Sequence, residues 1–410
     1  MTSVDRDQRF AAFRHRPFLT YWCARFLATF ATQIVSVAVG WQIYDLTRDP
    51  FDLGLVGIIQ FAPSLLLVLV TGAAADRFGR RLIMGLAAAL EAFCALALLV
   101  LTLRGLEGVS AVFVVLALFG VARAFFAPAS ASLVANLVPA EDFANAVAWN
   151  SSAWQTATIV GPVAGGLLYG LSAEAAYATA TVLMAGTAVL SFMIAAPRQR
   201  TEAEKATLET LFAGFRYIWG EKIVLGAVSL DLFAVLLSGA VALLPVYARD
   251  ILELGPWGLG LLRAAPGIGA IAVAMWLAGH PIRDHAGVLL FVFVGLFGVF
   301  TVVFGVSTIP WVSIVALAFI GATDMVSVYV RETLIQLWTP DRVRGRVNAV
   351  NMVFVGASNE LGEFRAGTMA ALIGTVPAVV FGGVGAIAVA GLWAVMFPAL
   401  RKARHLDGRV

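Results

Sequence analysis

The sequence predicts an all-α membrane protein, with twelve transmembrane helices arranged as two pseudo-symmetric six-helix bundles. Three observations carry that expectation: the composition, the spacing of the apolar runs, and a repeat between the two halves. The 410 residues are 60% hydrophobic and 13% charged, with mean hydropathy +0.90, whereas a soluble domain is about half apolar and about a quarter charged. That balance excludes an ordinary soluble enzyme. Apolar runs of about 20 residues, each long enough to cross the hydrocarbon core, follow one another with short polar breaks.

The spans fall at 18-44, 53-75, 82-103, 109-135, 145-170 and 175-196, then at 223-248, 257-279, 287-305, 310-338, 347-371 and 376-399. The opening stretch from Met1 to Ala12 carries Asp5, Arg6, Asp7 and Arg9 and no short apolar core, so no removable signal peptide is expected and the first run stays as a helix. Only the connection at 197-222 is long, which divides the chain into a bundle over 1-196, a connector, and a bundle over 223-410. Within the connector Leu208, Leu211, Phe212, Phe215, Ile218 and Trp219 recur at helical spacing. Such a helix either lies at the cytoplasmic interface or packs on the base of the bundle.

Sidedness follows from the basic residues, because Lys and Arg in short loops resist translocation. With the N-terminus inside, twenty of the 28 fall on the cytoplasmic side, five lie within spans, and only Arg48, Arg104 and Arg249 lie opposite. Both termini are expected in the cytoplasm, in a bacterial inner membrane. The net charge of +3 therefore reads as topology and gives no reason to expect a nucleic-acid partner. Cys23 and Cys94 both sit in apolar runs, and His280 and His285 in a loop, so no disulfide, metal site or cofactor is expected. The sequence also lacks a G-x-x-x-x-G-K-[ST] loop and a His-Glu-x-x-His pair, and no catalytic residues are assigned.

The repeat runs at an offset of 201 to 203 residues. Gly57 to Pro63 answers to Gly260 to Pro266, and Leu116 to Gly120 answers to Leu317 to Gly321. Pro139, Ala148, Asn150, Gly161 and Gly166 then meet Pro340, Ala349, Asn351, Gly362 and Gly367. An ordered series of this kind marks two parallel copies, the internal symmetry on which many transporters are built.

Between spans two and three stands Gly72-Ala73-Ala74-Ala75-Asp76-Arg77-Phe78-Gly79-Arg80-Arg81. It resembles the G-x-x-x-D-R-x-G-R-[KR] signature of the major facilitator superfamily. Gly161-Pro162-Val163-Ala164-Gly165-Gly166 in span five resembles the G-P-x-x-G-G motif of exporters in that superfamily. Phe18 to Arg81 and the segment Thr339 to Asn348 look like the subgroup that holds enterobactin-type siderophore exporters and macrolide efflux proteins. The resemblance implies a major facilitator fold, a gating role for Gly72, Asp76, Arg77, Gly79, Arg80 and Arg81, and a bend at Gly161, Pro162, Gly165 and Gly166. It implies export of a small amphiphilic molecule by alternating access; proton use is expected from the carboxylates inside the spans, with membrane lipids as further partners and a monomer as the working unit. Import or uncoupled facilitation by the same fold stays open, as does a receptor or a membrane-embedded enzyme.

Charges inside the spans show where the chemistry lies, since each costs about 2.5-3.5 kcal/mol at a helix centre and needs a cavity or a partner. At offset 201 Arg123 coincides with Asp324, opposite charges at pseudo-symmetric sites, while Arg25 and Asp231 form a looser second pair. In span eleven Glu360 and Glu363 share a face three residues apart, and two neighbouring carboxylates seldom both ionise in a dry site. One is a candidate proton carrier, and Arg365 a candidate to neutralise the other. Glu91 is the remaining candidate, alone in span three. Gln33, Gln60, Asn150, Trp154 and Gln155 are weaker candidates for a substrate pocket.

Overall fold

A computed structural model describes residues 9-106, 108-195, 208-282 and 284-403. The long helices are α1 (Arg16–Thr47), α2 (Pro50–Phe78), α3 (Arg80–Leu103), α4 (Ser110–Leu133), α5 (Phe143–Leu171) and α6 (Ala173–Met193). After the connector helix α7 (Leu208–Gly220) come α8 (Lys222–Ser238), α9 (Gly255–Gly279), α10 (Ala286–Val306), α11 (Pro310–Trp338), α12 (Asp341–Ile373) and α13 (Thr375–Met396). No strand occurs among the described residues. Ten of these helical segments are long and apolar enough to cross a membrane. The two long helices outside that set, α5 and α12, stand where spans five and eleven are predicted, and they carry the run from Asn150 to Thr158 and the charges from Glu360 to Arg365.

Local sequence explains the helix ends. Asp49 accepts a bond from Phe51 N at 2.9 Å just before Pro50 opens α2, and Ser172 Oγ accepts from Ala175 N at 3.0 Å to cap α6. Between α2 and α3, Gly79 sits at φ 88° with open space around it, so glycine serves the turn there and not the packing.

By contact the chain forms two units. One takes the chain up to residue 46 together with 59 and onward through α6; the other takes 47-58 and everything from α7 onward. The sequence boundary at 196 therefore shifts in two respects. The first turns of α2 group with the second unit: a Cβ at Gly54 would lie 3.1 Å from Phe364 O and 3.2 Å from its Cα, so glycine permits the close approach, and Arg48 Nη1 meets Asp250 Oδ1 at 3.1 Å. The connector helix belongs there too, packed on the base of its bundle. Ile218 is buried against Val224, Ile335 and Val347, Tyr217 Oη donates to Trp338 O at 2.6 Å, and Gly214 admits the Arg346 carbonyl. Its side chains before Gly214 lie outside the described residues.

Helix pairing repeats with the sequence. In the first unit α3 packs on α4 and α6, and in the second α10 packs on α11 and α13. Gly120 receives the Gln60 carbonyl of α2, and its repeat partner Gly321 receives the Pro266 carbonyl of α9. With lipid outside, close contact through small residues replaces the hydrophobic drive that packs a soluble core. Leu66, Val182, Met275 and Val395 are exposed, as a lipid-facing surface requires.

The seventh span departs from a continuous helix. α8 stops at Gly239, φ 50°, and the chain continues through a 3-10 turn (Ala240–Leu243), one α-turn (Leu244–Val246) and a π-turn (Tyr247–Ile251). A side chain at Gly239 would collide with the Gly362 carbonyl, and Pro245 has no backbone N–H to offer.

Candidate functional site

The first unit encloses a polar cavity of about 340 Å³. Arg25, Thr32 and Gln33 of α1, Glu91 of α3, Arg123 of α4 and Trp154 of α5 line it. A second hollow of about 140 Å³ shares Thr32, Gln33 and Arg123 and adds Gln60. Three charges far apart in sequence thus converge. Glu91, which the sequence leaves isolated, is 2% exposed and within electrostatic reach of Arg123, and its Oε2 has no hydrogen-bond partner among the described residues. The periodicity of α3 could not disclose this, because the partners sit on other helices.

Packing fixes the two arginines. Arg25 Nη1 donates to Tyr21 Oη at 2.9 Å, and the fully buried Tyr21 donates to Ser130 O at 3.0 Å. Arg123 Nη1 reaches Gln60 Oε1 at 3.4 Å, an approach that Gly120 allows by admitting the α2 backbone. In α5 the glycine motif does a related task. The helix runs unbroken through Pro162, and a Cβ at Gly161 would lie 2.7 Å from Gln33 Cβ, while one at Gly165 would lie 3.0 Å from Ile34 Cα. These glycines seat α1, with Gly166 buried beside them. Of the weaker candidates, Gln33, Gln60 and Trp154 line the hollows, whereas the buried Asn150 and half-buried Gln155 do not.

The second unit arranges its charges differently. Asp231 is paired directly with Arg331 of α11, both under 10% exposed, and Arg331 Nη2 lies 3.6 Å from Glu332 Oε1. Asn351 Nδ2 donates to that same carboxylate at 2.9 Å. Asp231, the looser repeat counterpart of Arg25, thus has its counter-charge within its own unit, a contact the repeat did not single out. Asp324 borders a small hollow with Asp231 and Ser327, between α8, α10 and α11.

On α12 the carboxylates of Glu360 and Glu363 both face Gly57, where a Cβ would lie 2.8 and 3.4 Å from their Oε2 atoms. Arg263, the repeat partner of Gln60, interacts electrostatically with Glu363. The hydrogen bonds of Arg365 go largely to backbone carbonyls of α8. Its Nε donates to Leu236 O at 3.0 Å and its Nη2 to the carbonyls of Leu237 and Ser238, so it caps the end that Gly239 leaves open on α8.

In the α2–α3 junction, Arg80 Nη1 donates to Ser132 O and Arg81 Nη1 to Ile194 O, each at 2.8 Å. These carbonyls close α4 and α6, where helix dipoles favour cations. Arg77 is exposed, with its guanidinium over the Phe78 ring. The side chain of Asp76, and position 72 with it, lie outside the described residues.

A paired-bundle helical fold with a charged cavity inside its first unit defines a membrane transporter of the major facilitator type. The chain belongs to the family described as transmembrane secretion effector, whose model matches residues 7–408. Among curated relatives it is 25% identical to the Enterobactin exporter EntS of Escherichia coli O127:H6 (strain E2348/69 / EPEC), covering 97% of this chain and 95% of that protein. The Enterobactin exporter EntS of Shigella boydii serotype 18 matches at the same identity and coverage. Among solved structures, a bacterial homolog of the human lysosomal transporter Spinster aligns with TM-score 0.70 at 13% identity, covering 95% of this chain and 96% of that one. A bacterial homologue of the iron transporter ferroportin gives 0.69 at 17% identity, with coverage of 94% and 99%. At these identities the structures establish the fold alone.

Proposed function

We propose that this transporter exports a small amphiphilic molecule, siderophore or drug-like, by alternating access, with protons moving the opposite way. The convergence of Arg25, Glu91 and Arg123 on one cavity in the first unit carries the reading, because charge inside a membrane span marks where a solute or ion is handled. The outward direction is supported by the curated relatives, which export enterobactin, and by the G-P-x-x-G-G match. Proton use is supported by the carboxylates Glu91, Asp324, Glu360 and Glu363, which lie inside predicted spans, where a charge is costly and marks an ion or solute path. The protein works as a monomer in a bacterial inner membrane, with both termini cytoplasmic, as the excess of Lys and Arg in one set of loops indicates.

Everted membrane vesicles test this reading. With an acid interior generated by respiration, iron-free enterobactin accumulates inside, and a protonophore abolishes the accumulation. Accumulation only in right-side-out vesicles points to an importer, and protonophore-insensitive equilibration points to uncoupled passage.

A further inference from the structure

We infer that the first unit holds an anion-binding subsite formed by Arg25 and Arg123, and that the transported molecule carries an acidic group seated there. The inference rests on the reading of this cavity as the substrate pocket and adds the charge class of the substrate. Among the residues lining the cavity, two are guanidinium groups and one is a carboxylate, so the local balance is positive. Each guanidinium makes one hydrogen bond to a side chain among the described residues, to Tyr21 and to Gln60, and both acceptors are neutral. A guanidinium carries five N–H donors, so most of that capacity remains.

The threonine hydroxyls in the wall do not supply competing donors. Thr29 and Thr32 each spend their proton on a backbone carbonyl one turn back, Arg25 O and Ala28 O, at 3.0 and 2.9 Å. What faces the cavity from them is lone pairs. The donor-rich part of the wall is therefore the pair of arginines, whose planar forks match a carboxylate or a similar oxyanion. Phe126 and Trp154, the latter half exposed, give the apolar side that an amphiphile needs. Glu91, whose buried Oε2 has no hydrogen-bond partner among the described residues, adds one carboxylate to the wall and so disfavours a second anionic group. At about 340 Å³ the cavity is at the small end of ligand sites, so it takes the acidic end of a molecule and not a bulky whole.

Equilibrium binding to the purified full-length protein in lipid nanodiscs tests this with three fluorescent probes: dansylglycine (anionic), dansylamide (neutral) and rhodamine 6G (cationic). Dansylglycine is expected to bind at least tenfold more tightly than dansylamide. That preference falls to about twofold or less in Arg25→Gln/Arg123→Gln and is partly kept in Arg25→Lys/Arg123→Lys. Equal binding of the anionic and neutral probes by the unmodified protein, tighter binding of rhodamine 6G, or no saturable binding of dansylglycine overturns the inference without any variant. An undiminished preference in the well-folded glutamine variant overturns it as well. Efflux of the same probes from proteoliposomes separates this from the transport reading. Anion-selective binding without efflux leaves the subsite standing and removes the transport, and efflux of rhodamine 6G alone does the reverse.

Discussion

Individual side chains divide into those that hold the protein together and those free to act on a solute. Asp231 and Arg331 belong to the first kind, since each is the other's buried counter-charge. Replacing Arg331 by Met leaves a carboxylate unpaired and is expected to destabilise the protein by about 3–5 kcal/mol, whereas Asp231→Leu/Arg331→Met recovers most of that loss. Thermal unfolding in detergent checks both. Gly79 is a second structural residue: at φ 88°, an alanine there costs about 1–3 kcal/mol, read in the same assay, with the junction arginines unchanged. The sequence disclosed Glu91, Asp231 and Asp324 as charges inside spans, because membrane insertion makes each of them costly. It did not disclose the pairing, which depends on helix rotation about the axis. Arg365 shows the limit plainly: two glutamates within five residues suggested a local neutralisation, yet its reach is to carbonyls on α8.

At the scale of helices, contact between backbones is set by glycine. Gly120 and Gly321, equivalent in the repeat, each admit a carbonyl of the helix opposite, and Gly161 makes room for Gln33. A Gly120→Ala change is expected to cost about 1–3 kcal/mol and to move Gln60 off Arg123. Gly161→Ala displaces Gln33 from the cavity wall, so it weakens binding of the dansylglycine probe more than it lowers the unfolding temperature. Helix positions were legible from apolar run lengths, and the repeat was legible because its small and helix-breaking residues kept their spacing. The break of α8 at Gly239 was not, since an apolar run of 26 residues from 223 to 248 looks the same whether its helix is whole or interrupted. The grouping of 47-58 with the second unit was equally hidden, because hydropathy marks where a helix crosses but not what it packs against.

For the whole molecule, the two units share a pairing scheme and differ in charge. The first gathers two arginines and a glutamate around a cavity of about 340 Å³, while in the second Asp231 is ion-paired, Arg365 caps α8 and a small hollow lies beside Asp324. That asymmetry suits a division of labour in which the first unit handles the solute and carboxylates handle the proton. Proteoliposomes loaded with iron-free enterobactin and the pH dye pyranine test it most directly. Export against inward proton movement acidifies the interior as the substrate leaves, and Glu91→Gln, Asp324→Asn or Glu360→Gln abolishes the acidification in at least one case while substrate binding persists. Substrate efflux with no change in interior pH, or full acidification in all three variants, would contradict the account.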